Sequence, residues 1–367
     1  MMRLCICTAV YNADGIVDFV IESILSQRLP SGVDVIPIVI DSGSSDGSPE
    51  RALKIYRDRG FNPVYHKERL NVSQARNRCI DIARELNCDL LLILDHDVVA
   101  LNDRLLALGI TLTKMLEGKF VIAIPYRFTA FKSLDELREF VGTHRNEDRC
   151  FKASPRSWTV SGFMFLPRQT LEHLRFLEDM NFRDDTLFGF NAWLKGFGIY
   201  VVNGVSSKPL AIDVSIGSKM DLYARLPIRE YLKSMRKKVL SDVYFYSTIS
   251  EKLSRRIAFC ARIIAKYIAT SCWIPSIVLG IVLISLGYSV CGLVLSILSA
   301  SIAVFGFLRE LVKVKSVHLA ARNLVKFSLF ALASLALLPI IAIRYRSNIK
   351  KVVKALREFE EVMVCVN

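Results

Sequence analysis

The sequence predicts an α/β domain built on a mostly parallel sheet flanked by helices, followed by an all-α membrane-associated region. Three observations carry this reading. From residue 3 to about 125, short apolar runs of strand type alternate with amphipathic helical periods, the spacing of crossover-linked parallel strands. One of these runs, Leu90-Leu91-Leu92-Ile93-Leu94, is apolar throughout, as a strand buried on both faces requires, and it stops at Asp95-His96-Asp97. Finally, residues 267–308 carry no charge at all.

Taken in order, residues 3–10 read as a first strand ending at Thr8-Ala9-Val10-Tyr11-Asn12. Ile16, Val17, Val20, Ile24 and Leu25 recur with helical period, so a helix is expected over about 15–27. Residues 33–40 form the next strand, followed by Asp41-Ser42-Gly43-Ser44-Ser45-Asp46-Gly47-Ser48. This loop is rich in turn residues, and Asp46 or Ser48 is placed to cap the helix after it. A short strand at 63–66 precedes a helix over 73–86 that opens Ser73-Gln74-Ala75-Arg76-Asn77. The strand at 90–94 follows, then a helix at about 103–117 and a strand at 120–125. Beyond these the pattern loosens. Residues 158–166 read as a strand containing Gly162, Asp184-Asp185 open a helix-like run to Gly196, and residues 199–202 read as a strand.

Charge divides the chain. Residues 1–226 hold 28 basic and 28 acidic residues, whereas residues 227–367 hold 21 and 7, the whole of the net +14. A neutral domain is therefore joined to a basic, apolar region. The nine cysteines are scattered and lack the paired spacing of metal sites, so they read as reduced thiols in a cytosol-facing protein. The N-terminus runs directly into a strand, and no leader is expected there.

In open α/β sheets ligands bind beyond the carboxyl ends of the strands, which is where Asp95 and Asp97 stand. Hard carboxylate oxygens suit Mg²⁺ or Mn²⁺. Alternation along an extended chain turns His96 away from both aspartates.

Six landmarks, in order, resemble the family 2 glycosyltransferases, inverting enzymes of the GT-A fold. They are Thr8-Ala9-Val10-Tyr11-Asn12, Asp41 with Gly43-Ser44-Ser45-Asp46-Gly47, Ala75-Arg76-Asn77, Asp95-His96-Asp97, Ser161-Gly162, and Asp184-Asp185 with a glycine eleven residues on. The resemblance covers about residues 1–205. It implies that Thr8, Tyr11, Asp41 and Arg76 hold the nucleoside end of a nucleotide sugar. Asp97 would bind a divalent metal spanning the diphosphate, Asp95 the ribose or a metal-bound water, and Asp185 would be the catalytic base. Asp184 is then expected to cap the helix, where the macrodipole favours a carboxylate. The chain departs from the family pattern at Ser42, where a second aspartate is common, and in its Asp-Asp base pair, where Glu-Asp is common. It lacks Gln-x-x-Arg-Trp, which points to transfer of a single sugar, and lacks Asp-x-Asp-Leu-Gln-His, which weakens a polyisoprenyl-phosphate acceptor.

The chemistry is consistent with these roles. A nucleoside diphosphate gains negative charge as the sugar departs, and a metal at Asp97 with Arg76 nearby would stabilise that charge where it develops. A base on the opposite face must take the proton of an acceptor hydroxyl, and a second carboxylate far along the chain meets that need. Two rivals belong to other classes. A nucleotidyltransferase shares the sheet type, but no Gly-x-Gly-Thr-Arg loop is present near the N-terminus. A non-enzymatic membrane scaffold would have no need of Asp97 and Asp185.

The 42 uncharged residues 267–308 would extend roughly 63 Å as helix, twice a hydrocarbon core of about 30 Å, and read as a transmembrane hairpin breaking near Gly287. Residues 327–343 are a further 17 uncharged residues. Basic clusters precede, separate and follow these runs, and the positive-inside rule places all three clusters in the cytoplasm. A full third span would put the last cluster outside, so 327–343 is expected to be re-entrant or interfacial. Residues 227–266 interleave Arg229, Lys233, Arg236, Lys237 and Lys238 with apolar residues, as a helix lying on an anionic membrane does, or equally a solvated helix packed on the catalytic domain. The expected organisation is thus a GT-A domain (1–226), basic juxtamembrane helices (227–266), a hairpin (267–308), and a basic connector with a third apolar segment and a basic helix (309–367). The expected partners are a nucleotide-sugar donor, a lipid-linked or otherwise membrane-bound acceptor and the membrane itself. Basic residues that flank apolar spans point to lipid headgroups rather than nucleic acid. The catalytic domain is expected on the cytoplasmic side of a multi-pass protein.

Overall fold

The computed structural model describes residues 1–13, 15–178, 184–216 and 344–366. The chain divides into two units, Met1–Ser218 with Lys350–Asn367, and Lys219–Ile349. The first contains the sheet.

Its first strand, β1 (Met2–Val10), is parallel to β2 (Val33–Asp41) on one side and to β4 (Leu90–Asp95) on the other. Helices cover both faces, so β4 is buried along its apolar length, which is why its sequence does not alternate. β3 (Val64–Lys67) extends the sheet beyond β2. The crossovers are α1 (Ile16–Leu25), α2 (Ser48–Asp58) and α3 (Val72–Glu85). α1 buries Val17, Val20, Ile21 and Ile24, one helical stripe, and Val17 and Ile21 pack in one cluster with Ala52, Leu53 and Tyr56 of α2. α3 starts in a capping box: the Asn71 side chain accepts from the Gln74 N–H, and the Gln74 side chain accepts from the Asn71 N–H. Neither Asp46 nor Ser48 caps α2. Gly47 stands at that position, in the left-handed region, while Asp46 Oδ1 accepts from the Ser48 N–H and hydroxyl and folds the turn.

The sheet continues with β6 (Phe120–Ala123), β9 (Phe163–Pro167), β8 (Cys150–Pro155), β10 (Gly198–Gly204) and β12 (Val362–Cys365), in the order β12-β8-β10-β6-β9-β4-β1-β2-β3. β9 runs antiparallel between β4 and β6, and β8 runs antiparallel between β10 and β12. The α/β class and the flanking helices are as expected, but the sheet is mixed through this half. The strand expected over 158–166 forms only from Phe163, leaving Ser161-Gly162 in the loop before it. A second sheet, in the order β5-β11-β7, comprises β5 (Val98–Ala100), β7 (Tyr126–Phe131) and β11 (Ala211–Ile216). The remaining helices are α4 (Leu105–Met115), α5 (Leu134–Thr143), α6 (Arg168–Leu171), α7 (Asp184–Leu194) and α8 (Arg346–Arg357). Gly109 is glycine for a spatial reason: a Cβ there would lie 2.5 Å from the Phe165 ring, so α4 sits directly on β9.

Six cysteines correct the expectation of reduced thiols. Cys5 pairs with Cys88, Cys7 with Cys79, and Cys150 with Cys365, with Cα separations of 5.9, 5.8 and 4.0 Å. Cys5 and Cys7 share one face of β1, and that face meets α3 and the residues just after it. Sequence separations of 72 and 83 hid this proximity.

The apolar runs 267–308 and 327–343 and the basic stretch 227–266 lie outside the described residues. Among the described residues, no helix is long and apolar enough to cross a membrane. The chain beyond them returns to the sheet. β12 pairs with β8, Glu361 takes a hydrogen bond from Ser154 and an ion pair from Lys152, and the Tyr200 hydroxyl donates to the Glu360 carbonyl.

Candidate active site

Asp95 closes β4 at the carboxyl end of the sheet, and its N–H donates to the Gly162 carbonyl. Arg76, in the second turn of α3, lies beneath it and is only 4% exposed. One guanidinium nitrogen donates to Asp95 Oδ2 and another to Asp184 Oδ2, both at 2.7 Å. The Ser73 hydroxyl also donates to Asp184 Oδ2, at 3.1 Å. Burial draws the Arg76 guanidinium down, but the two carboxylates outweigh it and hold the group firmly cationic. The neighbouring Asn77 binds both the N–H and the carbonyl of Phe176, whose ring faces the Arg76 guanidinium at 5.5 Å. Ala75-Arg76-Asn77 therefore ties the segment preceding α7 to the end of β4.

Asp184 and Asp185 begin α7 and part in direction. Asp184 is buried against Arg76 and Ser73, and its Oδ2 is engaged in this ion pair rather than in a capping bond. Asp185 is half-buried, with Oδ1 accepting from the Thr186 N–H at 2.7 Å. Successive residues of a helix turn stand about 100° apart, which lets one carboxylate anchor while the next faces the site. Asp97 lies one turn residue beyond Asp95, is half-buried, and its carbonyl accepts from the Val214 N–H. His96 is turned away, as alternation implies, with Nδ1 at 2.9 Å from the Ala9 carbonyl.

The remaining expected residues are placed differently. Thr8 is fully buried within β1. Tyr11, 55% exposed, stands at the rim after β1. Asp41 is buried. Its Oδ1 accepts from the Gly43 and Ser44 N–H groups, and its Oδ2 from the Tyr65 hydroxyl. Burial raises the Asp41 carboxyl, yet these hydrogen bonds prevail and hold it below the usual carboxylate range. Asp41 and Asn12, which accepts from the Ser45 N–H, lock the β2–α2 loop beside the β1–α1 loop. Arg76, expected at the nucleoside, is instead committed beneath the site.

Two residues at the site escaped the sequence. The Tyr126 phenol is pushed upward by burial and then by the charges of Asp95, Asp185 and Asp213, with Arg76 opposing, so it stays a protonated donor among carboxylates. Asp213 is largely buried in β11, level with Val98 of β5. An aspartate inside the apolar run Ala211-Ile212-Asp213-Val214 was the one available signal for it. Gly162 permits this convergence. A Cβ there would lie 2.9 Å from the Tyr126 ring and 3.0 Å from Asp95 Oδ2.

Among the described residues, no group of three or more His, Cys, Asp or Glu side chains is arranged to hold a metal by itself. The donor set does fit a divalent cation shared with a phosphate ligand. Asp95 keeps one oxygen on Arg76, Asp97 stands beside it, and Mg²⁺ and Mn²⁺ commonly take one or two carboxylates and complete their shell from phosphate and water.

The fold and site define a class, an α/β protein of GT-A type with acidic groups at the carboxyl end of its sheet. Residues 5–173 match the family model described as Glycosyl transferase family 2, a little under half of the chain. A search of curated proteins found no match. Among solved structures, S. aureus TarS 1-349 in complex with UDP-GlcNAc is 14% identical over 90% of this chain and 91% of its own, with a TM-score of 0.50. TarS 1-349 without that ligand is 16% identical over 65% of each chain, TM-score 0.45, so this chain spans just under two thirds of that structure. The mannosyltransferase PcManGT from Pyrobaculum calidifontis, with GDP-Man and Mn²⁺, is 15% identical over 98% of this chain and 88% of its own, TM-score 0.44.

Proposed function

We propose that this protein is an inverting glycosyltransferase that moves one sugar from a nucleotide-sugar donor to a hydroxyl of a membrane-bound, lipid-linked acceptor. The observation that carries the reading is the Arg76 bridge. It joins Asp95, on the donor side, to Asp184, which lies 108 residues beyond Arg76 in the chain and is the neighbour of the candidate base Asp185. A structural ion pair alone has no need to hold two carboxylate-bearing loops together at the ligand-binding end of a sheet. The family match over residues 5–173 supports the same chemistry.

In this reading Tyr11 lies against the nucleoside, and Asp97 with Asp95 holds Mg²⁺ or Mn²⁺ at the diphosphate. Bound there, the cation neutralises charge on the departing nucleotide. Asp185 accepts the proton of the acceptor hydroxyl. The oxygen attacks the anomeric carbon from the face opposite the diphosphate, the carbon–oxygen bond to phosphate breaks, and the configuration inverts. Arg76 does not touch the donor; it sets the spacing between the two carboxylate pairs.

The test is donor binding by the full chain in detergent. UDP-, GDP- and dTDP-sugars are screened by thermal shift with Mn²⁺, with EDTA, and in Asp97→Ala. A shift of several degrees with one nucleotide, abolished by EDTA and by Asp97→Ala, is expected. No shift with any nucleotide sugar would overturn the reading.

Membrane attachment rests on the uncharged runs 267–308 and 327–343. The pairing of β12 with β8 adds a parity argument. β11 before the intervening segment and β12 after it belong to one compact unit, so a segment that enters a bilayer between them would cross it an even number of times. That supports a two-span hairpin with 327–343 lying at the surface. The cytoplasmic placement of the domain rests on the basic clusters alone, now that six cysteines are paired. A Ser347→Cys variant in intact cells should gain no labelling by an impermeant thiol reagent, and rapid labelling would show a third span.

A further inference from the structure

The sugar-transfer reading leaves open what holds the acceptor, and a pair of aromatic rings on β7 bears on this. β7 is one of the two edge strands of the small sheet. Tyr126 and Phe128 are two residues apart and so face the same side. Tyr126 packs against Gly162 beside Asp95 and lies within the electrostatic reach of Asp185. Phe128 is level with Asp213 across the β11–β7 pairing and meets the Tyr126 ring edge-on, with centroids 6.0 Å apart. It is nonetheless 77% exposed, more than any other large apolar side chain among the described residues except the initiating Met1. An aromatic ring held open to water beside Asp213 gains nothing for the fold, since apolar surface stabilises only when it is buried.

Resting on the glycosyltransferase reading, we infer that Tyr126 and Phe128 form the acceptor subsite and that it takes a sugar ring. A pyranose has an apolar C–H face and a rim of hydroxyls. Phe128 offers the ring face for the first, and the Tyr126 hydroxyl and the carboxylates of Asp185 and Asp213 are polar partners for the second. Sites of this kind pair aromatic walls with a few placed polar groups. Donor chemistry occupies the Asp95–Asp97 side, so the open aromatic pair falls to the group whose hydroxyl Asp185 deprotonates. The acceptor is then a glycoside, and its lipid anchor contributes through the membrane rather than through this ring.

The experiment uses the full-length protein with the donor found in the binding screen, and follows release of nucleoside diphosphate. Acceptors are methyl and octyl glycosides of glucose, galactose, mannose and N-acetylglucosamine. Phe128→Ala is expected to raise the acceptor KM about five- to tenfold, equally for the methyl and octyl forms of the accepted sugar, the size of one aromatic contact. The donor KM and the slow hydrolysis of donor by water stay unchanged, and Phe128→Trp restores the acceptor KM. An unchanged acceptor KM in Phe128→Ala overturns the subsite. A rise confined to octyl glycosides overturns it too, because the ring then binds the alkyl chain. A wild-type enzyme that hydrolyses donor but uses no glycoside overturns it in favour of a phosphate acceptor. A wild-type protein that neither binds nor hydrolyses any donor removes the glycosyltransferase reading, and this subsite with it.

Discussion

Asp185→Asn is expected to lower kcat by about 10²- to 10⁴-fold while leaving donor binding intact. Asparagine has the shape of aspartate and keeps a carbonyl oxygen for the Thr186 N–H, so the first turn of α7 is preserved. Asp184, which anchors that turn to Arg76 and Ser73, is untouched. What is lost is the capacity to take a proton. Steady-state kinetics with the donor thermal shift as control separate the two effects: the shift survives and turnover does not. A loss smaller than tenfold would mean that the acceptor arrives as an anion. That outcome favours the polyisoprenyl-phosphate alternative, in which no hydroxyl is deprotonated.

Arg76→Met has the largest expected effect on stability. The guanidinium is almost wholly buried, and it is the recorded ionic partner of both Asp95 and Asp184, whose side chains are themselves mostly buried. Removing one member of a buried ionic network typically costs about 3–5 kcal/mol, because the carboxylates remain in a low-dielectric site without compensation. Thermal or urea unfolding of the purified protein measures this. Arg76→Met with Asp184→Asn should recover part of the loss, since one uncompensated charge is gone, and that non-additivity is the signature of a direct pair. Donor binding should weaken in Arg76→Met as well, through displacement of Asp95. A change below 1 kcal/mol would show that Arg76 is not the clamp its geometry implies.

The site was legible where chemistry and chain position coincide. Asp95 and Asp97 end a buried strand, the carboxyl end of a strand is where such sheets bind ligands, and alternation alone turned His96 onto the Ala9 carbonyl. Legibility failed where a residue type was read without its surroundings. Thr8 sits in a strand that the helices bury on both faces, so its side chain is covered whichever way it points. The resemblance put Arg76 at the nucleoside end, yet Asp95 and Asp184 both lie close enough to pair with it. Asp184 was taken for a cap because a carboxylate at a helix start usually is one, and here it turns inward.

By itself the sequence determined the α/β class, the order of strands and helices through residue 123 except for the short β5, the carboxylate that ends β4, and the charge division into a neutral part and a basic, apolar one. These follow from short-range properties: periodicity, turn chemistry, charge and strand ends. The tertiary structure alone decided the rest. It inserted β9 antiparallel between β4 and β6, brought Tyr126 and Asp213 to Asp95 through β7 and β11, joined Cys7 to Cys79, and returned residues 362–365 to the sheet's edge. Each is a pairing between segments far apart in sequence. Such pairings are selected by the fit of whole faces in three dimensions, which no local window of residues records.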